Sequence, residues 1–525
     1  MRFSLLKYAV LFPCLVLSKL APSQLARAQV NVPTYHYDSS RTGANLNETI
    51  LTPAVVGGAQ FGKLFSLPVN GDVFAQPLYI ANVPIASQGT HNVLYVATME
   101  DILYAFDADN GALLWSLNFT SPPAVIPVPI LDITSGNNIT GDVGIESTPV
   151  IDLPSHTLYL VARTKESGQY FQRLHAIDIT SGAEKPNSPV TITAIAVGDG
   201  TTAVNGLIAF NPLIQNQRAG LALASNRVFI AWASHGDQYQ YHGWVMAYDM
   251  QTLAQVAAVN VTPNGGQGGV WQSGWAPAVD STGHVYYASG NGDWDGERNF
   301  GESVVKLGTS EKIATVDFFS PDNYSSLNSE DEDLGVCGPM LLPNTNFVTI
   351  GGKQGLLYLL NATHLGYFSA GNANAVQVLP LNAGQLKGGP VYWARATNPM
   401  LYIQAEQDFL KSFQLSGSML SPVAEGVHQI ALGGGASLAL TANPSGTGGI
   451  VWAASTINQF AGSAIVPGIL RAYDAVTLAD LWNSEADSAR DSLGNWAKFV
   501  PPVIANGKVY MASFSGTIAV YGQIP

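Results

Sequence analysis

The chain has 525 residues, of which 47% are hydrophobic and only 11% charged, with a formal net charge of −14. Disorder is excluded, because a disordered chain needs high charge and little to bury, and so few charged residues also disfavour a coiled coil or long helical bundle. The acidic balance argues against nucleic-acid binding, which rests on a basic footprint, whereas 53 glycines, 30 prolines and 10% aromatics suit many short strands joined by tight turns.

In residues 1–28, Arg2 and Lys7 flank the start of an apolar run from Tyr8 to Leu17, and Ala26-Arg27-Ala28 has the small-residue form of a cleavage site. This is the pattern of a secretory signal peptide, so export to a periplasm or the extracellular space is expected. The run is shorter than the roughly 20 residues that cross a bilayer. No later stretch offers 18 uninterrupted apolar residues, and no membrane span is expected. Residues 29–59 read as a polar cap segment. Within it Tyr35, His36, Asp38, Arg41 and Thr42 form a polar knot expected to plug or cap one face, with Asp38 and Arg41 paired.

From residue 60 a single pattern recurs: an alternating strand ending in small residues, a polar turn, a second strand, an Asp, a Gly turn and often a Trp. Its clearest copy is LYVATMEDILYAFDADNGALLW at 94–115. Further copies begin at Leu158, Val228, Val285, Phe347, Leu401, Ile450 and Val509, about 59 residues apart on average. Alternation with period two over four to seven residues marks half-buried antiparallel strands. A small-residue strand led by Pro or Gly precedes most copies, as in STPVI (147–151) and WAPAV (275–279), which makes up to four strands per unit, the content of a propeller blade. The last copy lacks an outer strand, and QFGKLFSLPV (60–69) resembles the missing piece. The expected fold is therefore an all-β propeller over 60–525, closed by pairing of its N- and C-terminal strands. It has eight blades, or seven if the degenerate fourth and sixth copies are incomplete. Cys337 is the one cysteine beyond the leader and reads as a small buried hydrophobe.

The stretch richest in chemistry is WQSGWAPAVDSTGHVYYASGNGDWDGERNFGE (271–302). Asn291, Asp293 and Asp295 alternate, Gly296 follows, and Glu302 lies eleven residues after Asn291. Alternating oxygen side chains, a Gly turn and a distant carboxylate fit a calcium loop, although Arg298 and strand-like flanks also fit a plain polar connection. His235 and His242 flank Asp237 in HGDQYQYHGW, a set that suits either a transition metal or a hydrogen-bonded loop.

The segment LYAFDADNGALLW, with AIDITSG and AYDAVTLADLW, resembles the repeat of the pyrroloquinoline-quinone (PQQ) propeller family. The 271–302 stretch is similar to quinoprotein alcohol dehydrogenases, in which a strand ending in Gly-Asn with a following Trp offers Asn to a calcium beside PQQ; Asn291 and Trp294 match. By the same resemblance Trp275 stands near the place of the tryptophan stacked on the quinone, and Asp237 near that of an acidic calcium ligand. DEDLGVCGPMLLPNTNFVTIGGKQGLLYLLN (331–361) resembles the segment that carries the catalytic base, Asp333 or Asp331, and a basic residue on the quinone oxygen, Lys353. The chain departs from the pattern in lacking adjacent cysteines and a haem motif, and in having His242 where the family has Arg. These departures favour an exported scaffold that binds a small molecule or protein at one end of its channel, as a monomer and without redox catalysis. The alternative is a calcium- and PQQ-dependent dehydrogenase of alcohols or sugars. Convergence of Asp237, Trp275, Asn291, Asp333 and Lys353 at one end of the axis would favour the dehydrogenase; scatter, or a channel plugged by 31–45, would favour the scaffold.

Overall fold

The computed structural model describes residues 29–134, 139–310, 312–381, 384–431 and 433–524, so the signal-peptide reading of 1–28 lies outside the described residues. Eight blades of mainly four antiparallel strands surround one axis as a β-propeller. Each repeat start falls in the second strand of a blade, from Leu94 in Gly89–Ala97 of blade 1 to Val509 in Lys508–Ser513 of blade 8. The fourth and sixth copies, weakest in sequence, are complete. Blade 4 holds Ala278–Val279, Val285–Ala288, Val304–Gly308 and Ala314–Ser320; blade 6 holds Val391–Trp393, Met400–Ile403, Lys411–Ser416 and Met419–Glu425.

The Asp of each repeat acts locally. Asp107 Oδ1 accepts the backbone N–H of Asp109 and Asn110 at 2.8 and 3.2 Å, and Asp249 and Asp474 cap the equivalent turns in blades 3 and 7. Gly182, in the matching turn of blade 2, has φ +74° and leaves no room for a side chain: a Cβ there would lie 2.8 Å from the ring of Trp115. That contact shows what the repeat tryptophan does, because Trp115 belongs to blade 1 and packs on its neighbour. The hydrophobic core is accordingly distributed, with one cluster between blades 1 and 2, another between 2 and 3, and so on round the ring.

The ring closes where Phe61–Pro68 pairs antiparallel with Thr517–Gln523, Phe61 opposite Gln523 and Leu67 opposite Ile518. This gives blade 8 its fourth strand and removes an open edge. Phe61 is buried between Trp452 and Trp482, the latter edge-on at 5.0 Å. Phe61→Ala is expected to cost about 3–5 kcal/mol of unfolding free energy, measured by urea denaturation. A loss below about 1 kcal/mol would mean that this contact does not hold the ring shut.

Residues 32–45 run through the centre and hydrogen-bond to the inner strands of most blades. Val32 pairs with Tyr79 of blade 1, and carbonyls of Pro33, Ser39, Ser40, Thr42 and Gly43 accept from Ile151, Val279, Leu341, Tyr392 and Leu440. Tyr37 Oη accepts from blade 8, taking the Ile504 backbone N–H at 2.7 Å. Arg41 is buried and makes five hydrogen bonds: two to the Pro277 carbonyl, one to Thr34 Oγ1, and one each to the Tyr35 and Asp38 carbonyls. It thus takes the main chain of Asp38, while the Asp38 carboxylate accepts from the Thr42 hydroxyl and backbone N–H. The paired charges expected from sequence are replaced by an Asx-type turn, because the long guanidinium reaches the buried Pro277, Tyr35 and Asp38 carbonyls instead.

His36 in this segment stacks on Tyr35 at 4.4 Å and lies 4.2 Å from Trp275. Burial pushes its pKa down to about 3, the Arg41 charge adding and a hydrogen bond to the Arg41 carbonyl opposing. The unfolded chain takes up this proton near pH 6.5, so unfolding binds a proton between about pH 6.5 and 3, and stability falls as pH falls through that window. The stability advantage of wild type over His36→Asn is expected to be about 2 kcal/mol smaller at pH 5 than at pH 7.5, read from urea unfolding at both pH values. A difference independent of pH would contradict the buried neutral imidazole.

Candidate functional site

At one end of the axis the loops of all eight blades enclose a cavity of about 630 Å³, within the ~300–1,000 Å³ of small-molecule sites. No residue of the 32–45 segment lines it. Two kinds of position point into it: residues that follow the second strand of a blade, such as Asp237, Asn291, Lys353 and Glu406, and residues that precede the inner strand, such as Glu146, Trp271, Asp333 and Lys498.

Blades 3 to 5 contribute an acidic wall built on Asn291. Its backbone N–H donates to Asp333 Oδ1 at 2.9 Å, and its Nδ2 donates to Asp331 Oδ1 at 2.9 Å and Asp237 Oδ2 at 3.2 Å. Asn291 Oδ1 is buried without a protein partner. Gly290 precedes Asn291 because Asp333 comes so close: a Cβ there would meet Asp333 Oδ1 at 2.4 Å. Lys353 Nζ lies 2.6 Å from Asp333 and 2.7 Å from Asp331. Burial alone would depress the ammonium, but the two aspartates outweigh it and hold its pKa above the ordinary range. Burial pushes the Asp237 carboxyl up, with Asp333 and Asp331 adding and hydrogen bonds from Tyr241 and Asn291 opposing. Glu302 lies behind this wall, accepts from Leu334 N–H at 2.7 Å, and is pushed well up by burial and then by Asp333.

The remaining lining is aromatic and basic. Trp271 meets Phe499 edge-on at 5.5 Å. Phe74 lies under the Arg218 guanidinium at 5.5 Å. Lys387 pairs with Glu406 at 2.8 Å, and Lys498 donates to the Gly462 carbonyl at 3.1 Å.

Of the residues singled out from sequence, Asp237, Asn291, Asp331, Asp333 and Lys353 are brought together. Trp275 is not on the cavity; it lies against Tyr35 and His36 of the central segment. Of the calcium-loop set, Asp293 accepts from the Gly266 N–H, and Asp295 caps a turn, accepting from the N–H groups of Glu297, Arg298 and Asn299. Neither lines the cavity with Asn291. Among the described residues no group of three or more His, Cys, Asp or Glu is arranged to hold a metal ion. His235 and His242 also go separate ways, to Arg163 at 2.9 Å and to the Thr262 carbonyl at 3.0 Å. Cys337 is buried, its thiol pushed up to about 12 by that burial. Sequence reasoning missed Glu146, Arg218, Trp271, Lys387 and Lys498; the signal available was their shared position just before an inner strand.

No protein-family model matches the chain, and neither does any curated protein sequence. Among solved structures it resembles the quinohemoprotein alcohol dehydrogenase of Comamonas testosteroni, at 13% identity and TM-score 0.57, over 95% of this chain and 82% of that one. It also resembles a europium-containing methanol dehydrogenase, at 12% identity and TM-score 0.59, over 94% of this chain and 98% of that one. A second quinohemoprotein alcohol dehydrogenase, from Pseudomonas putida HK5, aligns at 13% identity and TM-score 0.53 over 94% and 80%. At such identities the likeness is one of fold: the chain shares the propeller architecture of quinoprotein alcohol and methanol dehydrogenases.

Proposed function

We propose that the protein is an exported, calcium- and PQQ-dependent dehydrogenase that oxidises alcohols or sugars. The observation that carries this reading is the meeting of Asp237, Asn291, Asp331, Asp333 and Lys353 on one wall of an aromatic-lined cavity, from loops of three consecutive blades. The residues present fit both groups. The aromatic pair Trp271 and Phe499 gives the cavity an apolar side that suits a planar ring, and the unpartnered Asn291 Oδ1, in the same cluster as Asp237, Asp331 and Asp333, is an oxygen of the kind a hard cation takes.

When bound, PQQ would supply the two-electron acceptor, and calcium would polarise it. The chain supplies the rest. Asp333, held at Oδ1 by Asn291 N–H and at Oδ2 by Lys353, takes the proton of the alcohol hydroxyl as general base. Lys353 stays an ammonium and directs a positive charge at the reacting end of the cavity. Asn291 Oδ1 and the Asp237 carboxylate are the oxygens that would hold the cation.

The alternative scaffold reading draws on the central segment 32–45, which fills the axis. The cavity lies clear of that segment, and this favours the dehydrogenase. The test is reconstitution of the purified protein with PQQ and calcium, followed by dye reduction with primary alcohols and aldoses. Turnover that depends on both additions is expected. No turnover with any of these substrates, together with an unchanged quinone spectrum, would leave only the scaffold.

A further inference from the structure

The acidic wall is built by blades 3 to 5. The large apolar side chains Phe74, Ile130, Ile139, Phe460 and Phe499 line the same cavity from the other side of the ring, on the loops of blades 7, 8, 1 and 2. Between the two sides Lys387 and Glu406 pair with each other at 2.8 Å. A molecule whose reacting end lies at Asp333 therefore directs its far end at hydrocarbon.

Phe460 is the informative residue. Its side chain is 57% exposed, and a ring left in water forgoes the stabilisation of burial. Its place is nonetheless fixed by close fit. A Cβ at Gly462 would lie 2.3 Å from Phe460 Cζ, and one at Gly433 would lie 3.0 Å from Phe460 Cδ2, so the ring lies over two stretches of bare backbone. The apolar lining also continues beyond the cavity. A smaller hollow shares Phe74 and Ile139 with it and adds Ala464, Ile465 and Phe514. Ile465 is 41% exposed, and Leu131, next to Ile130, is 81% exposed. Apolar side chains gathered in water at the rim of a cavity mark the entry of an apolar ligand. An aldose carries hydroxyls all round its ring, and burying these against Phe460 and Ile139 would leave them without partners. An alcohol with a hydrocarbon tail meets no such penalty, because its one hydroxyl goes to Asp333 and its tail to the apolar side.

We propose that Phe460, Ile139 and Ile130 select the substrate by its tail, and that the substrate is a primary alcohol bearing an alkyl or aryl chain and not an aldose. This deepens the dehydrogenase reading of the same cavity and rests on that reading for the reaction, whereas binding of the tail needs only the apolar side chains.

The experiment has two arms on the full chain. In the first, without cofactor, 1-butanol, 1-hexanol, 1-octanol and glucose compete with 6-propionyl-2-dimethylaminonaphthalene, an uncharged fluorescent dye. In the second, the chain reconstituted with PQQ and calcium is assayed by dye reduction with the same four compounds. Wild type is compared with Phe460→Ser and Phe460→Leu, and with Val197→Ser, which removes an exposed apolar group outside the cavity lining; each variant is checked for an unchanged melting transition. In wild type the affinity in the first arm and kcat/KM in the second are expected to rise about threefold per added methylene, with glucose inactive in both. Phe460→Ser is expected to cut the step to below about twofold per methylene, and Phe460→Leu and Val197→Ser to keep it. Competition that depends on chain length and on Phe460, without turnover of any alcohol, keeps the tail site and sinks the dehydrogenase reading. Turnover that is indifferent to chain length, that favours glucose, or whose chain-length dependence survives in Phe460→Ser overturns the tail site and leaves the dehydrogenase standing. Neither competition nor turnover in wild type overturns both.

Discussion

Asp333→Asn is expected to lower the kcat of the reconstituted protein by about 10²–10⁴, the share of a barrier that a positioned proton acceptor removes. The substitution is close to isosteric, and an amide oxygen can still accept from Asn291 N–H, the bond that Asp333 Oδ1 now receives at 2.9 Å. What is lost is the charge and the capacity to take a proton. Lys353 keeps its second partner, Asp331, at 2.7 Å, so the wall should remain folded and KM should move little. Asp331 is the competing base. Its side chain is 68% exposed against 15% for Asp333, so although Asn291 and Lys353 hold its Oδ1, it is far less shielded from water. Asp331→Asn is therefore expected to cost only about tenfold. Dye-linked steady-state kinetics decides between them: the reverse order gives the proton transfer to Asp331, and losses below about tenfold in both variants would show that neither is the base.

Arg41→Met is expected to destabilise the fold by about 3–5 kcal/mol, the cost of breaking a buried charged network by removing one partner. Arg41 donates to Pro277 of blade 4 and to three positions of its own segment. Removing it leaves the Pro277 and Tyr35 carbonyls without the side-chain donor that reaches them, whereas the Asp38 carbonyl keeps the backbone N–H of residue 41, and each unsatisfied buried group costs about 1–3 kcal/mol. The methionine fills much of the space, so the loss reports polar satisfaction rather than a cavity. Urea denaturation at neutral pH measures it, and a change within about 0.5 kcal/mol would mean that the central segment does not depend on this guanidinium.

The fold could be read from the sequence because each blade repeats the same local physics. Asp107, Asp178, Asp249 and Asp474 cap the same turn, and the alternating strands around them need only nearest neighbours to pair. Closure was legible for the same reason: residues 60–69 have the pattern of the strand that the eighth copy lacks. The wall of the cavity was half legible. Asn291, Asp333 and Lys353 lie in stretches with a recognisable local pattern, and these are the residues that meet. Arg218, Trp271, Lys387 and Lys498 come singly from four blades, each just before an inner strand, and only closure of the ring puts them round one cavity. Trp275 and Trp271 differ by one turn of chain, and the sequence carried no sign that the central segment would cover the first and leave the second on the cavity. The calcium-loop spacing from Asn291 to Glu302 misled for a related reason. Regular spacing converges on a point only where the loop curls round it, and here Asp295 spends its oxygens on the turn itself.

Isothermal titration of the purified chain with PQQ, with and without calcium, tests the central claim most directly. The account predicts one PQQ per chain, bound more tightly with calcium, with that calcium dependence lost in Asn291→Ala. Absence of saturable PQQ binding in either condition, or binding indifferent to both calcium and Asn291, would contradict it.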